Sequence, residues 1–269
     1  IGEASIGWCG YPLDKRIFPW NHANCGDLNL SGERRPQSYL RETLWSEAPV
    51  SHIVVTPPVP SFPLNPDKAD WSVWDFPDVV DHWNFPGYEG KKMTVSVYSN
   101  CEQVELFLNG ESLGKQENTA DKKNTLAWEV PYAHGILKAI SYNKGSEVGT
   151  ATLESAGKVE KIRLSADRTE IVADGNDLSY ITLELVDSKG IRNQLAEELV
   201  EFSIEGDATI EGVGNANPMS IESFVANSRK TWRGSNLLVV RSGKSPGRII
   251  VTAKVKALPV ASITITQKK

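Results

Sequence analysis

From Lys92 onward, apolar residues fall at every second position in short runs. In MTVSVY, Met93, Val95 and Val97 alternate with Thr94, Ser96 and Tyr98, and in VELFLNG, Val104, Leu106 and Leu108 share one face. A period of two is the signature of a strand with one face buried. Asn109-Gly110 closes the second run, and this pair favours a two-residue hairpin turn because both of its positions need φ > 0. LAWEV and ILKAISY continue the alternation. Short runs with turn residues at roughly ten-residue spacing predict an all-β sandwich. The pattern restarts after Gly157 with IRLSAD, YITLELVD, VEFSIEG, LLVVRS, RIIVTAKV and ASITIT, which predict a second sandwich. HGILKAISYNKGSEVGTATLES from His134 and PGRIIVTAKVKALPVASITITQ from Pro246 align without a gap. Only Gly135/Gly247, Lys144/Lys256, Val148/Val260 and Thr152/Thr264 are identical, but Leu137/Ile249 and Leu153/Ile265 keep the same place in the alternation. Each sandwich is therefore expected to close with the same kind of hairpin.

Ahead of Lys92 the pattern differs. IGEASIGW is short, small and apolar, as a buried parallel strand is. An irregular loop follows through Trp20, His22 and Asp27. RRPQSYLRETLW then predicts a helix, with Pro36 suited to the first turn and Tyr39, Leu40, Thr43 and Leu44 on one face. A single strand–loop–helix unit cannot cover its own apolar faces and needs neighbours. From Pro49 to Pro86 the chain holds eight of its fifteen prolines, together with Trp71, Trp74, Phe76, Trp83 and Phe85. Proline discourages regular ladders, whereas so many aromatics do not suit a flexible linker. The segment is expected to be an extended strap, packed on a neighbouring surface and leading into the first sandwich.

Composition narrows the function classes. A net charge of −5, with no lysine or arginine block, argues against nucleic acid as the partner. No apolar run is long enough to span a bilayer, so no membrane partner is expected. Three cysteines, Cys9, Cys25 and Cys101, cannot all pair within one chain. Free thiols and a Cys9–Cys25 bridge are both open. A zinc site from Cys9, His22 and Cys25 has the wrong spacing for a finger and lacks a fourth ligand. The missing start methionine fits either a processed secreted chain or a fragment. No Gly-rich phosphate loop, GxSxG elbow or HExxH is present, and His22, His52, His82 and His134 are scattered. In ADGNDLSY, Asp174, Asn176 and Asp177 offer oxygens for calcium but lack the alternate-position ligands and distal glutamate of an EF-hand, so a polar turn is the simpler reading. GVGNANP (212–218) reads as a compact loop, with a binding tip as the alternative. No cofactor and no metal is expected. Trp71, Trp74 and Trp83 are candidates for a sugar-stacking platform, against the competing reading that they anchor the strap.

Segment by segment, the chain resembles the C-terminal part of glycoside hydrolase family 2 enzymes of the β-galactosidase, Bacteroidetes type. The resemblance runs through IGEASIGW, CGDLNLSGERRPQSYLRETLW, WSVWDF, VSVYSNCEQVELFLNGESLGK, WEVPYAHGILKAISY, ADGNDLSYITLELVDSKG, GVGNANPMSIESF and RSGKSPGRIIVTA. It implies a mainly β fold: two immunoglobulin-like β-sandwiches preceded by the last strand and helix of a (β/α)8 barrel. The implied divisions are 1–48 for the barrel remnant, 49–90 for the strap, 91–157 for the first sandwich and 158–269 for the second. The resemblance also implies a parent hydrolase of terminal β-linked sugars whose two catalytic glutamates precede Ile1, leaving no catalytic residue in this chain. Glu3 and Trp8 would then help line the sugar pocket. The implied partners are a carbohydrate substrate, held by the missing barrel, and the barrel itself; a periplasmic or extracellular location and an oligomer are compatible with it. A carbohydrate-binding module and a tandem immunoglobulin-like adhesin are the alternatives.

Overall fold

The computed structural model describes residues 19, 26–62 and 77–269. It divides into two units, Ile1–Ser155 and Ala156–Lys269. That division falls two residues before the boundary expected at 157. Both units are β-sandwiches of the immunoglobulin-like kind, so the mainly β fold is as expected.

Among its described residues, the first unit has one α-helix, α1 (Ser38–Trp45), a single 3-10 turn (Ala120–Lys122) and seven strands: β1 (Ser51–Val55), β2 (Lys92–Ser99), β3 (Gln103–Leu108), β4 (Glu111–Glu117), β5 (Thr125–Pro131), β6 (Ile136–Asn143) and β7 (Ser146–Glu154). They form a sheet of order β1-β2-β5 and a sheet of order β4-β3-β6-β7. The alternation works as read: Met93, Val95 and Val97 of β2 and Val104 and Leu106 of β3 are buried in one cluster with Leu126, Trp128, Val130, Leu137 and Ala139. Asn109 and Gly110 form the two-residue turn between β3 and β4, with φ of 51° and 90°. Asn109 then reaches sideways: its Oδ1 accepts from the Ile136 amide at 2.8 Å, and its Nδ2 donates to the His134 carbonyl at 3.2 Å. Gly135 makes that reach open, because a Cβ there would lie 1.8 Å from Asn109 Oδ1.

The proline-rich segment differs from expectation. SHIVV is not strap but strand β1, paired antiparallel with β2 from Ser51↔Ser99 to Val55↔Val95. The flanking prolines hid a five-residue run that is regular in itself. Beyond it, Val80 bridges to Val55, and Trp83 and Phe85 enter the core. The helix rests on this same unit: Tyr39 and Leu40 pack on Val54, Val79 and Tyr98, and Thr43 is buried. Leu44 was expected on the buried face; it is 64% exposed, and Trp45 beside it is 76% exposed. They are the last two residues of α1. The strand expected at IGEASIGW lies outside the described residues.

The second unit has nine strands: β8 (Lys161–Ala166), β9 (Glu170–Val172), β10 (Leu178–Val186), β11 (Leu199–Glu205), β12 (Ala208–Gly214), β13 (Ser228–Lys230), β14 (Ser235–Ser242), β15 (Gly247–Val255) and β16 (Ala261–Lys268). Their sheets are ordered β12-β14-β10-β8 and β13-β11-β15-β16-β9. The six expected strands are β8, β10, β11, β14, β15 and β16. The sequence reading missed β9 and β13, which are three residues each, and β12, whose ladder breaks register between Ile210 and Gly212. The shared hairpin is present in both units. Leu137 pairs with Leu153 and Ile249 with Ile265, and the match continues to Ser141↔Gly149 and Ala253↔Ala261.

Candidate functional site

Of the residues singled out for sugar contact, Glu3, Trp8, Trp71 and Trp74 lie outside the described residues. Trp83 is described and does not fit a platform. It is fully buried, its indole Nε1 donates to the Ala133 carbonyl at 2.8 Å, and its carbonyl accepts from Ser155 Oγ. Its ring meets Phe85 and Tyr132 edge-on, at centroid distances of 6.0 and 4.8 Å. An indole stacked in a core offers no face to a pyranose. Burying it gives apolar contact and a satisfied N–H at once.

The polar candidates are likewise engaged locally. Asp174 Oδ1 accepts from the Asn176 and Asp177 amides at 2.8 Å, which holds its carboxyl below the usual range. Asp177 accepts from the Val172 amide at 2.8 Å and from Arg168 at 3.0 Å. These oxygens brace a turn. Among the described residues, no three His, Cys, Asp or Glu side chains gather as a metal site would need. Asp27 pairs with Arg41 at 3.2 Å, and Glu33 accepts from Asn29 at 3.0 Å. Cys101 is a buried free thiol; Cys9 and Cys25 lie outside the described residues.

Two arrangements were not anticipated. The first joins α1 to β1. The Tyr39 ring stacks on His52 at 3.5 Å with an 11° interplanar angle, and the Arg34 guanidinium sits 3.9 Å over the Tyr39 ring. His52 Nε2 is buried without a hydrogen-bond partner. Burial lowers its pKa from 6.5 to about 4; Asp81 opposes that shift and Arg34 adds to it. This is a neutral packing histidine rather than a base presented to a substrate.

The second arrangement is the loop 215–227 in the second unit, between β12 and β13. It is built around Arg229, which is fully buried. Its Nη1 donates to the carbonyls of Val213 and Glu222 at 3.1 and 3.2 Å, and Nη2 donates to Ser220 Oγ at 2.9 Å. The guanidinium lies 4.3 Å from the centroid of the Phe224 ring. Its Nε makes no hydrogen bond and lies 4.0 Å from Glu222 Oε2. A buried charge is costly unless it is paired and hydrogen-bonded, so the Nη contacts and the Glu222 carboxylate hold the loop to this path. Asn215 and Asn217 fold the entrance: Asn215 Oδ1 accepts from the Asn217 amide and Asn217 Oδ1 from the Met219 amide, with Ala216 at φ 59°. The Val213 amide donates to the Phe224 carbonyl at 2.8 Å and the Phe202 amide to the Asn227 carbonyl at 2.8 Å, so the loop is tied to β12 and β11. Around this rigid frame Ile221, Phe224 and Val225 are 82%, 51% and 83% exposed. The sequence signal for the loop was the run of glycine and asparagine; nothing local announced that Arg229 would point inward.

Comparison with known proteins bears on both units. Residues 162–264 match the family described as glycoside hydrolase family 2 C-terminal domain 5. The chain is a glycoside hydrolase family 2 C-terminal region. Residues 90–149 of this region match a domain of unknown function, DUF4982. It is 31% identical over 253 residues to beta-galactosidase BoGH2A of Bacteroides ovatus, covering 94% of this chain and 26% of that protein. It is 30% identical over 205 residues to a beta-glucuronidase of Formosa agariphila, covering 74% of this chain and 20% of that protein. Among solved structures, a glycosyl hydrolase family 2 member from Bacteroides cellulosilyticus matches with a TM-score of 0.94 and 98% identity, over 98% of this chain and 34% of that one. This family 2 region thus spans about a quarter of the curated relatives' length.

Proposed function

We propose that this chain is the C-terminal accessory region of a retaining family 2 glycoside hydrolase acting on terminal β-linked sugars. The observation that carries the reading is the shape of the match: nearly all of this chain is similar to a protein named a beta-galactosidase, but to only 26% of that protein's length. Retaining hydrolysis needs an acid/base and a nucleophile, two carboxylates about 5–5.5 Å apart. In this reading both glutamates come from polypeptide that the relatives carry outside the matched quarter. Residues 1–48 complete the barrel of the parent enzyme, with Glu3 and Trp8 near its sugar pocket. The two sandwiches brace that barrel, and a periplasmic or extracellular location goes with such an enzyme. The binding-module alternative loses support from the buried Trp83 and rests on Trp71 and Trp74.

The test is hydrolysis of aryl β-galactosides and aryl β-glucuronides by the purified 269-residue chain, beside the Glu3→Gln variant and the longer protein. The expected result is turnover by the longer protein alone. Turnover by the chain that disappears in Glu3→Gln would overturn the reading and make Glu3 catalytic.

A further inference from the structure

We infer that the loop 215–227 is an intramolecular docking knuckle, whose occupant is an apolar surface on the part of the longer polypeptide outside this chain. The inference rests on the reading that this chain is one region of a larger enzyme, and it adds which of its surfaces does the bracing.

Three observations carry it. Ile221, Phe224 and Val225 stand out into solvent from one five-residue stretch, and two of them are more than four-fifths exposed. Contiguous exposed apolar side chains rimmed by polar residues are the surfaces that mark interaction sites. Secondly, the stretch is not a slack loop. The Val213, Glu222 and Ser220 oxygens converge on the buried Arg229, and main-chain bonds fix Phe224 to β12 and Asn227 to β11. Holding apolar groups in one presented geometry lowers the ordering cost of a contact. Thirdly, the patch is small. Three side chains fall well short of the roughly 1,000 Å² that a stable interface between separate molecules needs. Tethering removes that requirement, because a linked partner is present at an effective concentration on the order of millimolar. The matched solved structure has about two thirds of its chain outside this region, so a tethered partner of sufficient size is at hand.

The chemistry of the patch also selects among occupants. Ile221 and Val225 are aliphatic and branched. A sugar-binding surface relies on aromatic faces with polar groups beside them, and one face of Phe224 is already taken by Arg229. An apolar protein surface fits these three side chains better.

Hydrogen exchange read at Ile221, Phe224 and Val225 tests this without any substitution. It is compared between the 269-residue chain and the longer Bacteroides cellulosilyticus protein. The expected result is exchange slowed by about tenfold or more in the longer protein, as burial of a surface segment gives. The double variant Ile221→Ser/Val225→Ser should lower the unfolding midpoint of the longer protein and leave that of the 269-residue chain unchanged. Equal exchange in both proteins would overturn the inference. So would protection in the isolated chain that grows with its concentration, which would make the occupant a second copy. Protection of the isolated chain by added β-linked oligosaccharide would overturn it in favour of a glycan. Glycosidase assays on the same longer protein keep the two readings apart: loss of hydrolysis would sink the proposed function and leave the docking result standing.

Discussion

In the first sandwich the β6–β7 hairpin sets Leu137 against Leu153; in the second the β15–β16 hairpin sets Ile249 against Ile265, and six successive pairs keep a common register. Even the left-handed backbone recurs, with Gly145 at φ 76° and Ala257 at φ 64° at corresponding positions. What fills the space beside the hairpin is different. The first unit uses large aromatics, Trp83, Phe85 and Tyr132, two of them delivered by the proline-rich segment. The second has an aliphatic core around Phe202 and places a buried arginine under an exposed loop. A hairpin in fixed register is thus compatible with very different fillings. The register is held by backbone pairing and by alternation, and the filling is free to serve each unit's other contacts.

The comparison can be broken most severely at Trp83. Trp83→Ala should cost the first unit about 3–5 kcal/mol, the usual loss for truncating a buried aromatic, and it also leaves the Ala133 carbonyl without its donor. Denaturant unfolding followed by probes in each unit should show the 156–269 transition unmoved. Movement of both transitions together would show that the two fillings are not independent.

Arg229→Met tests the other filling. It removes the Arg229 donors from the Val213 and Glu222 carbonyls and from Ser220 Oγ, which keeps the Glu222 amide; about 1–3 kcal/mol is expected for the buried Val213 contact. Resistance of the 215–227 loop to proteolysis should fall with it. An unchanged cleavage rate would mean that the main-chain ties suffice. Gly135→Ala should cost the first unit roughly 1–3 kcal/mol, because φ of 143° is strained for alanine and the new Cβ collides with Asn109. Asn109→Ala carries its own cost, from two lost hydrogen bonds and alanine at φ 51°, so the double variant should lose less than the sum of the two single variants.

A pH series sharpens the comparison further, because His52 belongs to the first unit alone. Its folded pKa, about 4, lies below the unfolded value of 6.5. The unfolded chain therefore binds a proton first as pH falls. The stabilising contribution is full above about 6.5, declines as pH drops from there, and is gone below about 4. Melting curves between pH 7 and pH 4 should show this loss, and His52→Gln should flatten it. Asp81, Glu42 and Arg34 act on the ring electrostatically, so a series in 0.5 M salt should alter the midpoint while leaving the burial-driven direction intact. The smallest effect is expected at Lys144, whose φ is 50°: Lys144→Gly should stabilise the first unit by about half a kcal/mol, as relief of left-handed strain is partly offset by unfolded-chain entropy.

The alternation of small apolar and polar residues, with Asn109-Gly110 as a turn, was sufficient to announce two sandwiches and their matched hairpins. That information is local: a period of two and a residue tolerant of φ > 0 need no partner to be read. Helix α1 was legible for the same reason, but its contacts were not, and Leu44 and Trp45 came out exposed. Strand β1 was hidden because proline neighbours spoke against a ladder that only β2 could supply. Whether Trp83 met sugar or core, and whether Arg229 faced water or three inward oxygens, depended on what the other strands brought alongside. Burial is a property of the assembled sheets, and no single stretch of chain carries it.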